Sequence, residues 1–324
     1  MLLNQTALML IGLLLAIVLG GGGAAGTLWY FSQDLPSLDP LQNYQPSLVT
    51  RVYSDDRQVI GQFFIERRFL KPIQEMPKSL TQAVIATEDT RFFEHPGLDI
   101  VGILRAAWTN IRHGGKKVEG ASTITQQLAR SLFLSAERTF DRKVRELILA
   151  YKMELVLSKE QILEMYLNQI YFGQGAYGVA AAGQTYFGKE LSKLTLAESA
   201  FLAGLPKSPS HYSPFKAYDR AKKRQEHVLS RMAEAGFISV ADRDQAIAEK
   251  LNFRRPGSEH LGPYFVEYIR QLLVAKFGEA MRRHRLKREI VSTQIANDLV
   301  NHMGITFVQR LKESTGMSPA NVAG

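Results

Sequence analysis

The sequence predicts a mainly α-helical fold with a short β-hairpin near its start and one N-terminal transmembrane helix. Three observations carry that expectation: an uncharged apolar run at residues 7–31, strand-forming residues at 48–70, and helical periodicity from Pro77 onward. At 324 residues, 45% of them hydrophobic, the chain can bury one large domain or two small ones. It has no cysteine, which excludes a disulfide framework and a thiolate metal site. A formal net charge of +9 favours anionic partners: nucleic acid, acidic lipid headgroups or phosphorylated substrates. No nucleic-acid-binding motif occurs, and the apolar run decides for the membrane.

The elements follow in order. Residues 7–31 at about 1.5 Å each exceed the roughly 30 Å hydrocarbon core, and Trp29 and Tyr30 sit where an interfacial aromatic belt would lie. A cleaved signal peptide competes, because the Gly/Ala run at 20–26 would suit a peptidase. Its basic n-region is missing and the apolar residues continue, so 7–31 is an uncleaved anchor after a cytoplasmic segment 1–6. Residues 32–47 form a Pro-, Ser- and Asp-rich linker. SLVTRVY and QVIGQFFIERRF flank Ser54 to Arg57 as a hairpin, and 48–70 is the only strand material expected. Helices are expected near 78–89, 98–112, 122–131, 137–157, 159–170, 175–185, 195–204 and 217–235.

Candidate chemistry lies in three places. EDTRFFEHPG at 88–97 puts Glu88 on the stripe of Leu80 and Val84, so its carboxylate continues an apolar face. Apolar surroundings raise a carboxyl pKa toward the range a general acid or base needs. GASTITQQLAR at 120–130 gathers Ser122, Thr123, Thr125, Gln126 and Gln127 ahead of Arg130, a composition suited to a sugar and a phosphate. An ordinary helix end followed by a polar loop is the alternative for this pair of blocks. In RKVRELILAYKME at 142–154, Arg142 and Lys143 share a helix face with Glu146. A surface salt-bridge ladder is the alternative there, although Val144, Leu147, Ile148 and Tyr151 surround it with apolar side chains. Between the first two blocks, 98–119 interleaves Ile100, Ile103, Leu104 and Trp108 with Arg105, Arg112, Lys116 and Lys117. It suits either a membrane interface or a buried helix with a solvated basic face.

These blocks, with ILEMYLNQIYFGQGAYGVAAAGQTYFGK at 162–189 and LTLAESAFLAGLPKSPSHYSP at 194–214, resemble the five ordered motifs of the family 51 peptidoglycan glycosyltransferases. Such domains form the polymerase part of class A penicillin-binding proteins and monofunctional transglycosylases, and the resemblance covers 48–235. It implies a lysozyme-like fold with a membrane-associated small lobe, in a single-pass protein of the bacterial inner membrane. The catalytic domain would lie on the periplasmic or extracellular side. It further implies that Glu88 deprotonates the acceptor 4-hydroxyl of lipid II, which attacks the lipid-linked strand to form an inverted β-1,4 bond and release undecaprenyl pyrophosphate. Glu146 would assist that departure directly or through a divalent cation such as Mg, the one cofactor in question. Arg142 and Lys143 match the basic pair that grips phosphates; Ser122, Thr123 and Gln126 match the donor-site loop; Asp89, Phe92 and His95 match positions that shape the site. Arg130 stands where many members have lysine, so a planar fork replaces a point charge. Gly173, Gly178 and Gly204 to Pro206 are structural positions, and Asn168 and Tyr171 could be either. The implied partners are lipid II, the nascent glycan strand, membrane lipids and other cell-wall synthesis proteins.

Beyond the connector expected at 236–280, no Ser-x-x-Lys, Ser-x-Asn and Lys-Thr-Gly set follows at usable spacing, so a transpeptidase domain is not expected. Residues 281–324 open on five cations in eight positions and resemble a fragment of the large bacterial NAD-dependent glutamate dehydrogenases. Without a Gly-x-Gly-x-x-Gly fingerprint this basic helical tail confers no cofactor binding. Two other function classes remain: a lysozyme-like glycoside hydrolase, and a non-catalytic remnant that binds wall precursors.

Overall fold

The computed structural model describes residues 26–27, 29–33, 35–38, 41, 50–53, 59–63, 66–114, 120–135, 137 and 139–254, with side chains of 50–53 and 59–63 outside the description. Most of the expected anchor, the hairpin turn and the tail 281–324 lie outside those residues. Among the described residues no helix is long and apolar enough to cross a membrane.

The body is mainly helical. The expected hairpin is present: β1 (Thr50–Tyr53) pairs antiparallel with β2 (Val59–Phe63), with a bulge at Val52/Tyr53. A two-residue β3 (Arg67–Arg68) and a 3₁₀ turn (Ile73–Glu75) lead into α1 (Lys78–Glu88), α2 (Ile100–Arg112), α3 (Ile124–Phe133), α4 (Phe140–Val156) and α5 (Lys159–Gln169). After β4 (Tyr171–Gly173) and β5 (Ala176–Tyr177) come α6 (Val179–Phe187), α7 (Leu196–Gly204), α8 (Tyr218–Glu234) and α9 (Val240–Ala248).

Side-chain caps account for several of the helix starts. Thr123, Thr139, Ser158, Thr195 and Ser239 each accept a backbone N–H from the first turn that follows, satisfying a donor the helix cannot pair. Two packing groups result. Helix α1 lies against α7 and α8, while α3 lies against α4 and α5. Leu80, Val84, Leu128, Leu149, Ile162 and Phe201 are buried in the shared core.

Two expectations are corrected. Strand is not confined to 48–70, because β3, β5 and β4 form a second sheet, β3 parallel and β4 antiparallel to β5. The reversal between β4 and β5 runs through Gly173, Gln174 and Gly175, all with positive φ, a local geometry that helical periodicity does not register. Helix α6 therefore starts at Val179 instead of near 175, after Gly178 at φ +79°. The other addition is α9, inside the expected connector. Its capping box, Ser239 with Asp242, was legible as a Ser-x-x-Asp pattern. Beyond α9, Leu251 is buried, Phe253 stacks on Phe187 at 5.4 Å and the Arg254 N–H donates to the Tyr186 carbonyl.

Asn168 is tied into this framework. Its amide exchanges hydrogen bonds with the Lys71 backbone in both directions, at 2.9 and 2.8 Å, and the Arg68 Nε donates to its carbonyl. A Cβ on Gly178 would stand 2.6 Å from that same carbonyl oxygen. Gly178→Ala is therefore expected to cost at least about 1–3 kcal/mol, from positive φ and clash together. Chemical denaturation checks this; a wild-type midpoint would refute it.

Candidate active site

Glu88 is the last residue of α1, where the chain turns out of the helix towards an open cleft of about 490 Å³. Its lining includes Asp89, Ser122, Thr123, Gln127 and Arg130 from the end of α1 and the α3 region, and Pro206, Lys207, Arg224, His227 and Arg231 from α8 and the segment before it. The Gln127 Nε2 donates to Glu88 Oε2 at 2.9 Å, and an Arg224 guanidinium nitrogen stands 3.8 Å from Oε1. The apolar surround expected for Glu88 is thus replaced at its head by an amide donor and a cation. The apolar stripe of α1 buries Leu80 and Val84 but stops short of the carboxylate.

Asp89 is buried and fully engaged. Its Oδ1 pairs with His95 Nε2 at 2.9 Å, and its Oδ2 accepts the Ile124 N–H that opens α3. Lys159 donates to the His95 carbonyl and lies 4.5 Å over the buried Phe92 ring. Asp89, Phe92 and His95 therefore fix the turn after α1 against α3 and α5. Thr123 caps α3 and donates to the Gly97 carbonyl at 2.7 Å, closing the same turn.

The third block forms a cluster of its own. Glu146 is fully buried and accepts from Lys143 at 2.6 Å and Arg142 at 3.0 Å. The Lys143 ammonium also donates to Ser122 Oγ at 3.0 Å and Gln126 Oε1 at 2.9 Å. This is a packed polar knot, so the surface-ladder alternative falls. The structure brings Glu88, Asp89, Ser122, Thr123 and Arg130 to the cleft wall; Phe92, His95, Gln126, Arg142 and Glu146 do not line it, and the partly exposed Lys143 adjoins it through Ser122.

Sequence reasoning missed the α8 wall. Arg224 shares the buried stripe of Ala221, Val228 and Met232, the same signal of a charge on an apolar face that singled out Glu88. Its Nε donates to the Gly204 carbonyl at 3.1 Å, and a Cβ on Gly204 would stand 2.9 Å from its Cγ. Burial pushes the Arg224 pKa down while Glu88 opposes the shift. His227 is also pushed below its ordinary value, by burial first and then by Arg224, Lys207 and Arg231. That wall holds positive potential suited to an anion.

Among the described residues no group of three or more His, Asp or Glu could hold a metal ion. Both Glu146 oxygens are taken by cations, so the donor set there does not fit a protein-held divalent cation.

Comparison with known proteins places these features. The family model described as Transglycosylase matches residues 56–233, and that described as Glutamate dehydrogenase, C-terminal, matches 247–324. Penicillin-binding protein 1A of Neisseria flavescens is 51% identical over 247 residues, 76% of this chain and 31% of that protein. The Neisseria cinerea protein of the same name is 48% identical over 271 residues, 83% of this chain and 34% of that one. A crystal structure of penicillin-binding protein 1A from Haemophilus influenzae aligns over 72% of this chain and 25% of that chain, at 29% identity and TM-score 0.45. The chain spans about a third of the length of the curated relatives it matches.

Two outcomes follow from the geometry. Glu146→Ala leaves Lys143 and Arg142 without their shared counter-charge; part-exposure of Lys143 places the cost at the lower end of roughly 3–5 kcal/mol. Urea unfolding measures it, and an unchanged midpoint would show that the knot does not hold the fold. For His227, the folded pKa lies below the unfolded one, so the unfolded chain takes up a proton first as pH falls below about 6.5. Stability is unaffected above that pH and declines beneath it. His227→Gln should flatten this part of the stability–pH curve; a curve identical to wild type would count against it.

Proposed function

Since the chain belongs to the transglycosylase family, we propose that it is a peptidoglycan glycosyltransferase that polymerises lipid II into β-1,4 glycan strands. The observation that carries the reading is Glu88, a carboxylate at the cleft with one oxygen held by Gln127 and cations along the lining. Among the described residues the ion-pair contact of Oε1 is the longer one to Arg224, which leaves that oxygen able to receive the proton of an acceptor 4-hydroxyl. As that proton moves to Glu88, the hydroxyl oxygen bonds to the anomeric carbon of the donor. The bond from that carbon to the diphosphate oxygen breaks on the opposite face, which inverts the centre and releases undecaprenyl pyrophosphate.

A positioned base supplies roughly 10²–10⁴-fold, too little for an enzymatic rate. Stabilisation of the departing diphosphate supplies more, and Arg130 and Lys207 are cations of the cleft wall placed for it. Lys143 holds Ser122 and Gln126 directly, while Glu146 ties Lys143 to Arg142. In this reading Glu146 sets charge and geometry instead of touching the leaving group. No step is routed through a metal.

We read the helical body as lysozyme-like, with α2 as the membrane-facing lobe. Helix α2 buries Gly102 and Ala106 while Ile100, Leu104, Trp108 and Ile111 are 58–68% exposed, and Arg112 lies 4.9 Å over Trp108. An apolar stripe edged by cations suits an anionic lipid surface. This fits an anchored enzyme of the inner membrane acting on lipid-linked substrates at its periplasmic or extracellular side, alongside other wall-synthesis proteins.

A hydrolase of the lysozyme type needs a second available carboxylate across the bond to be cleaved. Of the other carboxylates of the cleft wall, Asp89 has both oxygens bonded, to His95 and Ile124, and Asp99 is held through Oδ1 by the Gly102 N–H and Arg91. The transferase reading is favoured on that ground, and a binding-only remnant is separated from it by turnover. With purified lipid II, wild type should make glycan polymer and Glu88→Gln should make none while staying folded and binding substrate. Muropeptide release from sacculi would support the hydrolase, and lipid II binding without turnover by wild type would support the remnant. Polymerisation by Glu88→Gln at near wild-type rate would sink the base assignment.

A further inference from the structure

Glu88, Gln127 and Tyr166 come from three different helices and meet in one line. The Tyr166 hydroxyl lies 3.2 Å from Gln127 Oε1, and Gln127 Nε2 lies 2.9 Å from Glu88 Oε2. Tyr166 is fully buried on α5 and Gln127 is 9% exposed on α3. A carboxamide has one accepting and one donating end, so its two neighbours decide which way it faces. An ionised Glu88 only accepts, and it therefore needs the amide nitrogen. The carbonyl end then points to Tyr166, which has to donate. Burial, with Glu88 and Asp89 adding to it, raises the phenol pKa well above its ordinary value, so Tyr166 keeps the proton it donates.

We propose that Tyr166 is a positioning residue for the Glu88 base, acting through Gln127 by locking the amide with its nitrogen towards the carboxylate. The inference rests on the base role of Glu88 given above, yet its geometry stands apart from turnover. With the hydroxyl removed, the Gln127 amide loses the partner of its carbonyl end, and among the described residues only Glu88 itself still selects which end it faces. An amide free to turn can present that carbonyl to the carboxyl group, which then keeps its proton and is withheld as a base. Neither partner in this chain needs to touch substrate. Tyr166 in particular is fully buried and does not line the cleft.

The test uses the full chain and reads Glu88 directly. Wild type, Tyr166→Phe, Gln127→Met and the double variant are treated with a water-soluble carbodiimide and an amine across a pH series. That reagent modifies protonated carboxyl groups, and peptide mass mapping quantifies the modification at Glu88. Tyr166→Phe is expected to remain modifiable at Glu88 to higher pH than wild type. Gln127→Met, which keeps the bulk but loses the donor, should show the same displacement, and the double variant no further one. Where wild type polymerises lipid II, Tyr166→Phe should lose on the order of tenfold in kcat with KM unchanged, and the acidic limb of its rate–pH profile should move upward. Modification of Tyr166→Phe along the wild-type curve overturns the proposal, as does a double variant whose displacement is the sum of the two singles. Absence of polymer from wild type would instead count against the glycosyltransferase reading, and the labelling comparison would still decide the role of Tyr166.

Discussion

A buried carboxylate holds the site together. Asp89 follows Glu88 directly, and its two oxygens reach in different directions, one to His95 and one to the first N–H of α3. The end of α1 is thereby fixed to the start of α3. Without that double attachment, Glu88 and Gln127 would ride on separate helices, with no reason to remain 2.9 Å apart. A carboxyl group buried there is tolerated because each oxygen has a partner. The cleft follows from it, since α1 carries α7 and α8 on its other side and α3 carries α4 and α5.

The charges are sorted by depth. Beside the cleft, the buried Glu146 gathers Arg142 and Lys143, and Lys143 gives its remaining donors to Ser122 and Gln126. At the cleft itself the cations outnumber acids that are free to pair with them. Arg105, Arg130, Lys207, Arg224 and Arg231 line it, whereas Asp89 and Asp99 are bound elsewhere. The Glu146 pairs keep the framework rigid; at the cleft Arg224 faces Glu88 and Arg231 pairs with Glu234, yet cations still exceed acids in the lining, which leaves positive potential for an anionic ligand. The depressed pKa of His227 comes from burial first, and then from the same cations, Arg224, Lys207 and Arg231.

Much of this was legible in the order of residues. The helix positions followed from apolar spacing and from Ser and Thr caps, because both are local and repeat with the helix period. Glu88 stood out as a charge on an apolar stripe, and the Arg142/Lys143/Glu146 spacing gave a shared face. Helix α9 was equally available from Ser239 and Asp242, and Arg224 from its stripe. What escaped were β4 and β5, two- and three-residue strands whose pairing depends on Gly173, Gln174 and Gly175 turning the chain. Strands that short carry no periodicity to read.

By itself, then, the sequence determined a mainly helical domain, the carboxylates and cations on which its chemistry rests, and the five motif blocks that mark its family. Only the tertiary structure decided which of those groups face the cleft. Glu146 turned out to be buried away from it, with Lys143 reaching from Glu146 to Ser122 of its wall; Arg224 and His227 line it, and Tyr166 is buried against Gln127. The reason is physical. Spacing along one helix fixes which side chains share a face, but whether that face meets solvent, a ligand or another helix depends on contacts between residues far apart in the chain. Gln127 and Glu88 are 39 positions apart, as are Gln127 and Tyr166, and no local pattern links them.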